Sequence, residues 1–451
     1  MNMPCKKTIA AAGIMLSAAA AGYSKEKPNV IIIYSDDQGT LDLGCYGTDD
    51  ICTPNIDALA ERGTRFTQFY AAPVSSASRA SLLTGQFCRR AGEIANSGIG
   101  GLPYGKETLA ERMKAGGYNT AVLGKWHIGS HPMISPNKRG FDYFFGFKGG
   151  CVDSYSHFYY WAGANYHDLW ENDKEIYSDG TFLADETLVR MKKFIEGQDP
   201  DDPFFIYWAL NIPHYPYQPK EKWIRYYEEN FPQMKKNRQL YCAFVSTMDE
   251  VVGGMMEYLR EKGIDDETLI IFQSDNGYSA ETPAWGGGGF KGDYRGCKFS
   301  LFEGGIRVPS IISYPGVLPE GEVRDQMSMN IDWFPTIVEL TGVPATGMDV
   351  DGKSLVPVVR KDAPSAHEVL YFDFLDQWAV RKGDWKLIFN VTDSEDGNKR
   401  ETIEGYYLTN LAKDPSERTN LADQYPEVVE ELGKLKKDWD ASIPPKTPNP
   451  W

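Results

Sequence analysis

Residues able to do chemistry gather in a few short stretches of this sequence. Val74-Ser75-Ser76-Ala77-Ser78-Arg79-Ala80-Ser81-Leu82-Leu83-Thr84-Gly85 sets a small hydroxyl residue, Ser75, just ahead of a predicted helix start. Ser76 and Ser78 are of the type that caps helices, and Gly85 is a C-terminal stop. The first N–H groups of such a helix would point at Ser75, where a tetrahedral anion binds readily. Arg79 follows one turn later, so its guanidinium returns over the same spot and can hold two oxygens of a sulfate or phosphate. Asp36-Asp37 and Asp275-Asn276 offer oxygen ligands only. Adjacent carboxylates are costly to bury unless a cation or hydrogen-bond donors meet them. With neither thiolate nor imidazole in the set, a hard cation fits better than zinc, and calcium tolerates more oxygens and looser geometry than magnesium. The spacing is not that of an EF-hand, so the site must be assembled from distant loops.

These residues need elements to position them. Val30-Ile31-Ile32-Ile33-Tyr34 reads as a strand buried on both faces, and it runs into Ser35-Asp36-Asp37. Asn119 to Leu123 is a second strand, leading to Gly124-Lys125-Trp126-His127, where Lys125 and His127 alternate and so point to one side. Phe204 to Leu210 is a third, ending in Asn211-Ile212-Pro213-His214, and Leu269 to Phe272 a fourth, ending in Ser274-Asp275-Asn276-Gly277. Helices alternate with them: Thr53 to Gly63, Glu107 to Ala115, and a long amphipathic one marked by Leu240, Phe244, Met248, Val251, Val252, Met255 and Leu259. The class is therefore α/β, and in open α/β sheets the carboxyl edge is where ligands bind.

The chain changes character towards its end. Met329 to Thr341 is a predicted helix with Asp332 and Pro335 near its start. Beyond about Lys361, strands over 369–374, 377–381, 385–389 and 406–410 suggest a small antiparallel sheet. A helix, Pro426 to Trp439, follows, with Val428, Leu432, Leu435 and Trp439 on one face. The expected organisation is a signal peptide over 1–24, a catalytic domain over 25–360 and a C-terminal α+β subdomain over 361–451. Between the second and third strands, 141–177 is rich in Tyr, Trp and His; this suits a sugar-binding wall and a packed insertion equally well.

The 451 residues carry a formal net charge of −16, which argues against a nucleic-acid-binding surface. Lys6 and Lys7, the apolar run Thr8 to Leu16 and the small residues Ala18 to Gly22 read as an export signal too short to span a membrane. Cys5 precedes the apolar run, so a lipid anchor is not expected, and the protein should be periplasmic or secreted. Cys45, Cys52, Cys88, Cys151, Cys242 and Cys297 fit no disulfide-rich scaffold and read as buried small hydrophobes.

Ser75, Ala77, Arg79 and Leu83-Thr84-Gly85 fall on a pattern that resembles the signature of the type I sulfatases, in its serine form. The resemblance extends to Ser-Asp-Asp-Gln-Gly, Gly-Lys-Trp-His, His214, Ser-Asp-Asn-Gly, and Lys298 followed by Glu303-Gly304-Gly305-Ile306-Arg307-Val308-Pro309. One departure is Cys297, where many members carry glycine. The stretch Asp414 to Leu421 resembles the C-terminal subdomain of that family. The resemblance implies an alkaline-phosphatase-like fold, with a large mixed or parallel sheet sandwiched by helices. It implies a formylglycine made from Ser75 by a maturating enzyme. It also implies one calcium ion held by Asp36, Asp37, Asp275, Asn276 and residue 75. Arg79, Lys125, His127, His214 and Lys298 would contact the reacting groups.

The chemistry agrees with that assignment. A sulfate ester needs cations that hold its oxygens while charge moves to the leaving oxygen, and the metal, Arg79, Lys125 and Lys298 can supply them. An unmodified serine is a weak nucleophile. A hydrated aldehyde attacks sulfur with one hydroxyl; deprotonating the other expels sulfate and restores the aldehyde. His127 is the candidate base for that step, and His214 with Lys298 the candidates for protonating the leaving alkoxide. Arg79, Lys125, His214 and Lys298 would bind the substrate's sulfate, and His157 is a further substrate-binding candidate. The expected enzyme is a sulfatase acting on a sulfated sugar of a glycosaminoglycan or mucin-type glycan. The alternatives are a phosphodiesterase or phosphonate hydrolase on the same fold, and a glycan-binding relative without catalysis.

Overall fold

In the computed structural model, residues 27–96, 101–161, 163–395, 401–445 and 449 are described. The expected export signal, 1–24, lies outside them.

The β-branched run after Pro28 forms β1, Asn29–Ser35, with every residue buried. Alternation divides its side chains between two cores. Ile31 and Ile33 enter one, while Val30, Ile32 and Tyr34 enter the other. A strand buried on both faces must lie inside a sheet covered on both sides. Nine more strands complete that sheet: β2 Thr64–Phe66, β3 Asn119–Lys125, β4 Tyr143–Phe147, β5 Trp170–Glu171, β6 Lys174–Glu175, β7 Phe204–Ala209, β8 Thr268–Ser274, β9 Ser310–Ser313 and β10 Glu322–Arg324. Their spatial order is β10-β2-β9-β8-β1-β7-β3-β4-β5-β6. The five central strands, β8 to β4, run parallel, so their carboxyl ends share one edge. Antiparallel pairs flank them on both sides, β8 with β9 and β4 with β5.

Helices α1 (Pro54–Glu61), α4 (Leu183–Glu196) and α5 (Lys236–Lys262) contribute to the first core. Helices α2 (Ser75–Thr84), α3 (Leu109–Ala115) and α6 (Trp333–Thr341) contribute to the second. The expected start of α6 at Met329 is not observed. Asn330–Asp332 forms a 3-10 turn instead, because the Asp332 carboxylate accepts the backbone N–H groups of Met329 and Lys353, both at 2.8 Å.

The C-terminal strands β11 (Val369–Phe374), β12 (Gln377–Lys382), β13 (Trp385–Asp393) and β14 (Glu401–Asn410) make an antiparallel meander. One face, with Leu370, Phe372 and Ile388, packs on Tyr70, Val74 and Ala77 around the start of α2. The other, with Val380, Leu387 and Leu408, packs on Leu432 of α7 (Pro426–Ser442). The six described cysteines form no disulfide, and five of them are buried. Among the described residues, no helix is long and apolar enough to cross a membrane.

Candidate active site

The carboxyl ends of the central strands deliver the predicted residues to one place. Asp36 and Asp37 leave β1, Lys125 ends β3, His214 follows β7, and Asp275 and Asn276 leave β8. The strands can approach so closely because two of them carry glycine where they meet. A Cβ on Gly124 would lie 2.0 Å from the Ala209 carbonyl oxygen, and one on Gly146 would lie 1.9 Å from the Gly124 carbonyl oxygen. Gly124 also takes φ +105, which L side chains rarely adopt. Asp37 and His127 hold left-handed backbones, with φ of +61 and +54, so their side chains depart from the strand direction at a cost.

Ser75 is the first residue of α2 rather than a residue ahead of it. Val74, still extended, takes the capping position and makes no side-chain cap. Ser76 and Ser78 do not cap either; the Ser78 hydroxyl lies 2.7 Å from the Tyr34 hydroxyl in the core. Ser75 Oγ lies 3.1 Å from Asp36 Oδ1 and 3.4 Å from Asn276 Oδ1, and it accepts from Lys125 Nζ at 3.3 Å. Lys125 Nζ also donates to both oxygens of Asp36, at 2.9 and 2.8 Å. Arg79 Nη2 donates to Asp275 Oδ2 at 2.9 Å, and Nη1 to the Tyr207 hydroxyl at 3.1 Å. Lys298 Nζ donates to Asp37 Oδ2 at 2.8 Å, and His214 Nε2 stands 3.6 Å from the same oxygen. His214 Nδ1 is 2.6 Å from the Tyr215 carbonyl oxygen. A carbonyl can only accept, so Nδ1 carries the proton and Nε2 faces the site.

Three carboxylates, Asp36, Asp37 and Asp275, offer oxygens within 4.8 Å of one another in a fully buried spot. Burial opposes the charge on Asp36, but Lys125, His214 and Arg79 outweigh it and hold the carboxyl below its usual range. Asp275 is pushed up, by burial first and by Asp36 second. Buried like charges this close compete unless positive charge gathers among them. With Asn276 they make an oxygen-only donor set, which fits a hard divalent cation. Burial lowers Lys125, only partly offset by Asp36. Burial disfavours charge on Lys298, yet Asp37 and Glu281 more than restore it and raise its pKa. His127 falls well below its ordinary value through burial and the cations Lys125, Arg79 and Lys298. It is therefore a neutral imidazole at neutral pH, able to accept a proton.

A sulfatase family profile matches residues 28–343, and a second, for the N-sulphoglucosamine sulphohydrolase C-terminal region, matches 295–440. Human arylsulfatase A is 32% identical, over 95% of this chain and 92% of its own. The chain belongs to the type I, formylglycine-dependent sulfatases. Pig N-acetylgalactosamine-6-sulfatase is 30% identical, over 94% of this chain and 87% of its own. Among solved structures, Ps i-CgsB in complex with k-i-k-neocarrahexaose superposes with a TM-score of 0.81 at 27% identity, covering 93% of this chain and 94% of that one. The protein is thus a sulfuric ester hydrolase.

Above Ser75 this sulfatase opens a cleft of about 590 Å³. Lys125, His127, His214 and Lys298 reach it from below. Tyr159, Trp161, Tyr166, Tyr215 and Phe299 line its walls. Trp161 and Tyr166 are 47% and 50% exposed, so solvent and a ligand both reach them. The aromatic segment therefore does line the cleft, although His157 does not. It is fully buried, on the far side of the hairpin that carries Tyr159 and Tyr166. Its left-handed backbone, φ +60, takes it off the strand's alternation and sets its ring against His167, which the composition of the segment does not reveal.

Glu281 was missed by the sequence reading. It lies 3.8 Å from Lys298 Nζ and accepts from the Tyr215 hydroxyl at 3.0 Å and the Ser279 hydroxyl at 2.9 Å. A lone glutamate in a loop carries no spacing signal. Tyr207 was likewise read only as part of a strand, yet it fixes Arg79.

Proposed function

We propose that this sulfatase hydrolyses a sulfate ester on a sulfated sugar, of the glycosaminoglycan or mucin-type glycan class. It does so through a formylglycine derived from Ser75 and with one calcium ion. Asp36, Asp37, Asp275, Asn276 and residue 75 would hold the ion. The observation that carries this reading is the convergence at Ser75 Oγ, which meets Asp36, Asn276 and Lys125 within 3.4 Å. A nucleophile, a set of anionic ligands and a cation thus share one point at a cleft floor. The aromatic wall supports a sugar, since such rings pair an apolar face with a polar edge. So do the relatives, named for N-acetylgalactosamine 6-sulfate and seen with a neocarrahexaose.

Each residue has a task. Arg79 and Lys125, both buried at the cleft floor, bear on the sulfate oxygens, where preorganised charge is worth more than in bulk water. A bound ion would supply further polarisation of the sulfate, and a hydrated formylglycine would supply the nucleophilic hydroxyl. His127, neutral through burial, takes a proton from the residue-75 hydroxyl. Lys298, and His214 in its doubly protonated form with hydrogens on both Nδ1 and Nε2, would donate the proton that the leaving alkoxide takes as the sugar hydroxyl departs. Ser75 is unmodified as translated, so a maturating enzyme is a required partner. Export over the segment 1–24 would place the enzyme in the periplasm or outside the cell. The catalytic domain would span 25–360 and the C-terminal subdomain 361–451.

Mass spectrometry of the tryptic peptide 66–79, from active protein made in its native host, tests the central step. The expected mass is that of the serine peptide less two hydrogens, with reactivity towards an aldehyde reagent. Fully active protein with unmodified Ser75 would overturn the reading.

A further inference from the structure

We propose that His157, His167 and Asp179 form a second cation site, of the kind that takes zinc, behind the hairpin that lines the cleft. One potential ligand atom from each of the three lies within 4.8 Å of the others. His157 has no solvent exposure, and neither of its ring nitrogens makes a hydrogen bond of good geometry. Its polar surroundings are the Thr181 backbone, His167, Asp179 and Asp153. Burying imidazole nitrogens without full partners costs free energy that a ligated ion would return.

His167 is arranged as a ligand. Its side chain is only 4% exposed, and its Nδ1 lies 3.0 Å from Glu175 Oε1. In the neutral ring that carboxylate holds the proton on Nδ1 and leaves the Nε2 lone pair free, which is how metal-ligating imidazoles are commonly oriented. Nε2 is buried and makes no hydrogen bond. The ring is fixed by stacking on Tyr177, with centroids 4.2 Å apart, and by the edge of Phe158. His157 holds φ +60, a strained backbone that turns its ring into the cluster.

The frame does not depend on an ion. Asp168 N donates to the His157 carbonyl at 3.0 Å, and Gly180 N to the Tyr155 carbonyl at 2.9 Å. These bonds bring the strands of the hairpin and the 178–181 turn together. Two imidazoles with one carboxylate suit zinc, with water in a fourth position, and differ in kind from the oxygen-only set beneath Ser75. The hairpin pairs Phe158 with His167 and Tyr159 with Tyr166. Tyr159 and Tyr166 stack at 4.8 Å on the cleft side. An ion behind them would stiffen the wall against which a substrate lies. The site stands on its own residues, whatever the sugar.

The test uses the full-length protein, stripped with a chelator and titrated with Zn²⁺, and with Co²⁺ for its ligand-field absorption. We expect wild-type protein to take up zinc, to rise in thermal midpoint, and to show nitrogen-ligated cobalt bands. Asp179→Asn, at an exposed position, should fold normally and weaken zinc binding at least about tenfold, since even outer-shell partners are worth that much. His167→Gln should abolish it, and Asp36→Asn should keep it. Failure of the wild type to bind zinc would overturn the proposal, as would undiminished binding in both Asp179→Asn and His167→Gln. Loss of the cobalt bands in Asp36→Asn with retention in His167→Gln would assign the ion to the oxygen site and overturn it too.

Discussion

At the scale of single residues, the roles divide by the chemistry each side chain can perform. Ser75→Ala removes the residue proposed as the precursor of the nucleophile. Turnover should vanish while the circular dichroism spectrum and the metal-dependent thermal midpoint remain near wild type; substantial remaining activity would remove Ser75 from the mechanism. His214 offers a sharper test, because its task concerns the leaving group. His214→Ala should slow hydrolysis of a sugar sulfate by about 10²–10⁴-fold, the usual worth of general acid–base help. The loss on p-nitrophenyl sulfate should be much smaller, since that phenolate departs without a proton. Equal losses on both substrates would instead place His214 in sulfate binding. These residues were legible in the sequence because chemistry is carried by residue type: carboxylates, a Lys–His alternation and a Ser–Arg spacing. His157 was named for its type alone, and the structure places it buried, away from the cleft lining.

At the scale of elements, the central strands place the site through close backbone contacts. Gly124→Ala would drive a Cβ to 2.0 Å from the Ala209 carbonyl oxygen at a φ of +105, so strand β3 must shift at the residue before Lys125. A loss of more than about 2 kcal/mol in stability is expected, with activity falling further than stability alone explains. Denaturant unfolding and steady-state kinetics on the same preparation check both halves. A second element-level device ties the chain ahead of β11 to the N-terminus of α6. His367 Nε2 lies 2.6 Å from Asp332 Oδ1. Burial lowers the imidazole pKa, but Asp332 outweighs it and the net shift is upward. A raised pKa contributes stability that is fully present below the unfolded value of about 6.5 and is lost as pH rises through the folded one. The stability gap between wild type and His367→Gln should therefore be widest in mildly acidic buffer and narrow on the alkaline side, as urea titrations at several pH values would show. The strands were legible from their apolar runs, since a doubly buried strand leaves little choice of residue. Helix starts were less so. Serines near Ser75 read as caps from their type, but the α2 start is set by packing, with Ser75, Ser76 and Ser78 all buried.

At the scale of the whole molecule, the C-terminal sheet is bound to the catalytic sheet by charge as well as by apolar contact. Lys386 Nζ lies 2.9 Å from Glu303 Oε1 and 2.9 Å from Glu417 Oε1, and all three side chains are fully buried. Glu303 in turn accepts from the Tyr70 hydroxyl at 2.7 Å, and it follows Lys298 by five residues. Lys386→Met leaves buried Glu417 without its cation and Glu303 with Arg307 alone, at 3.3 Å, and should cost about 3–5 kcal/mol. Thermal unfolding should report that loss. Turnover measured well below the new midpoint should also fall, because the same anchor steadies the Lys298 loop. Unchanged stability would mean that the ion pair is dispensable. None of this was legible in the sequence, where Lys386 is one lysine in a strand and its partners lie 83 and 31 positions away.

The floor of the cleft holds Asp36, Asp37 and Asp275 against Arg79, Lys125 and Lys298, each cation in contact with one of those acids. Glu281, 3.8 Å from Lys298, adds a fourth acid, so the cluster carries one surplus negative charge before any external ion enters. That near-balance separates folding from ion loading. The chain can fold on its own charges before a divalent ion is bound. A divalent ion would turn that surplus into one positive charge, facing an anionic substrate within a protein of net charge −16. Metal-free protein should accordingly fold yet bind a sulfated sugar poorly, and added salt should weaken substrate capture by the loaded form alone.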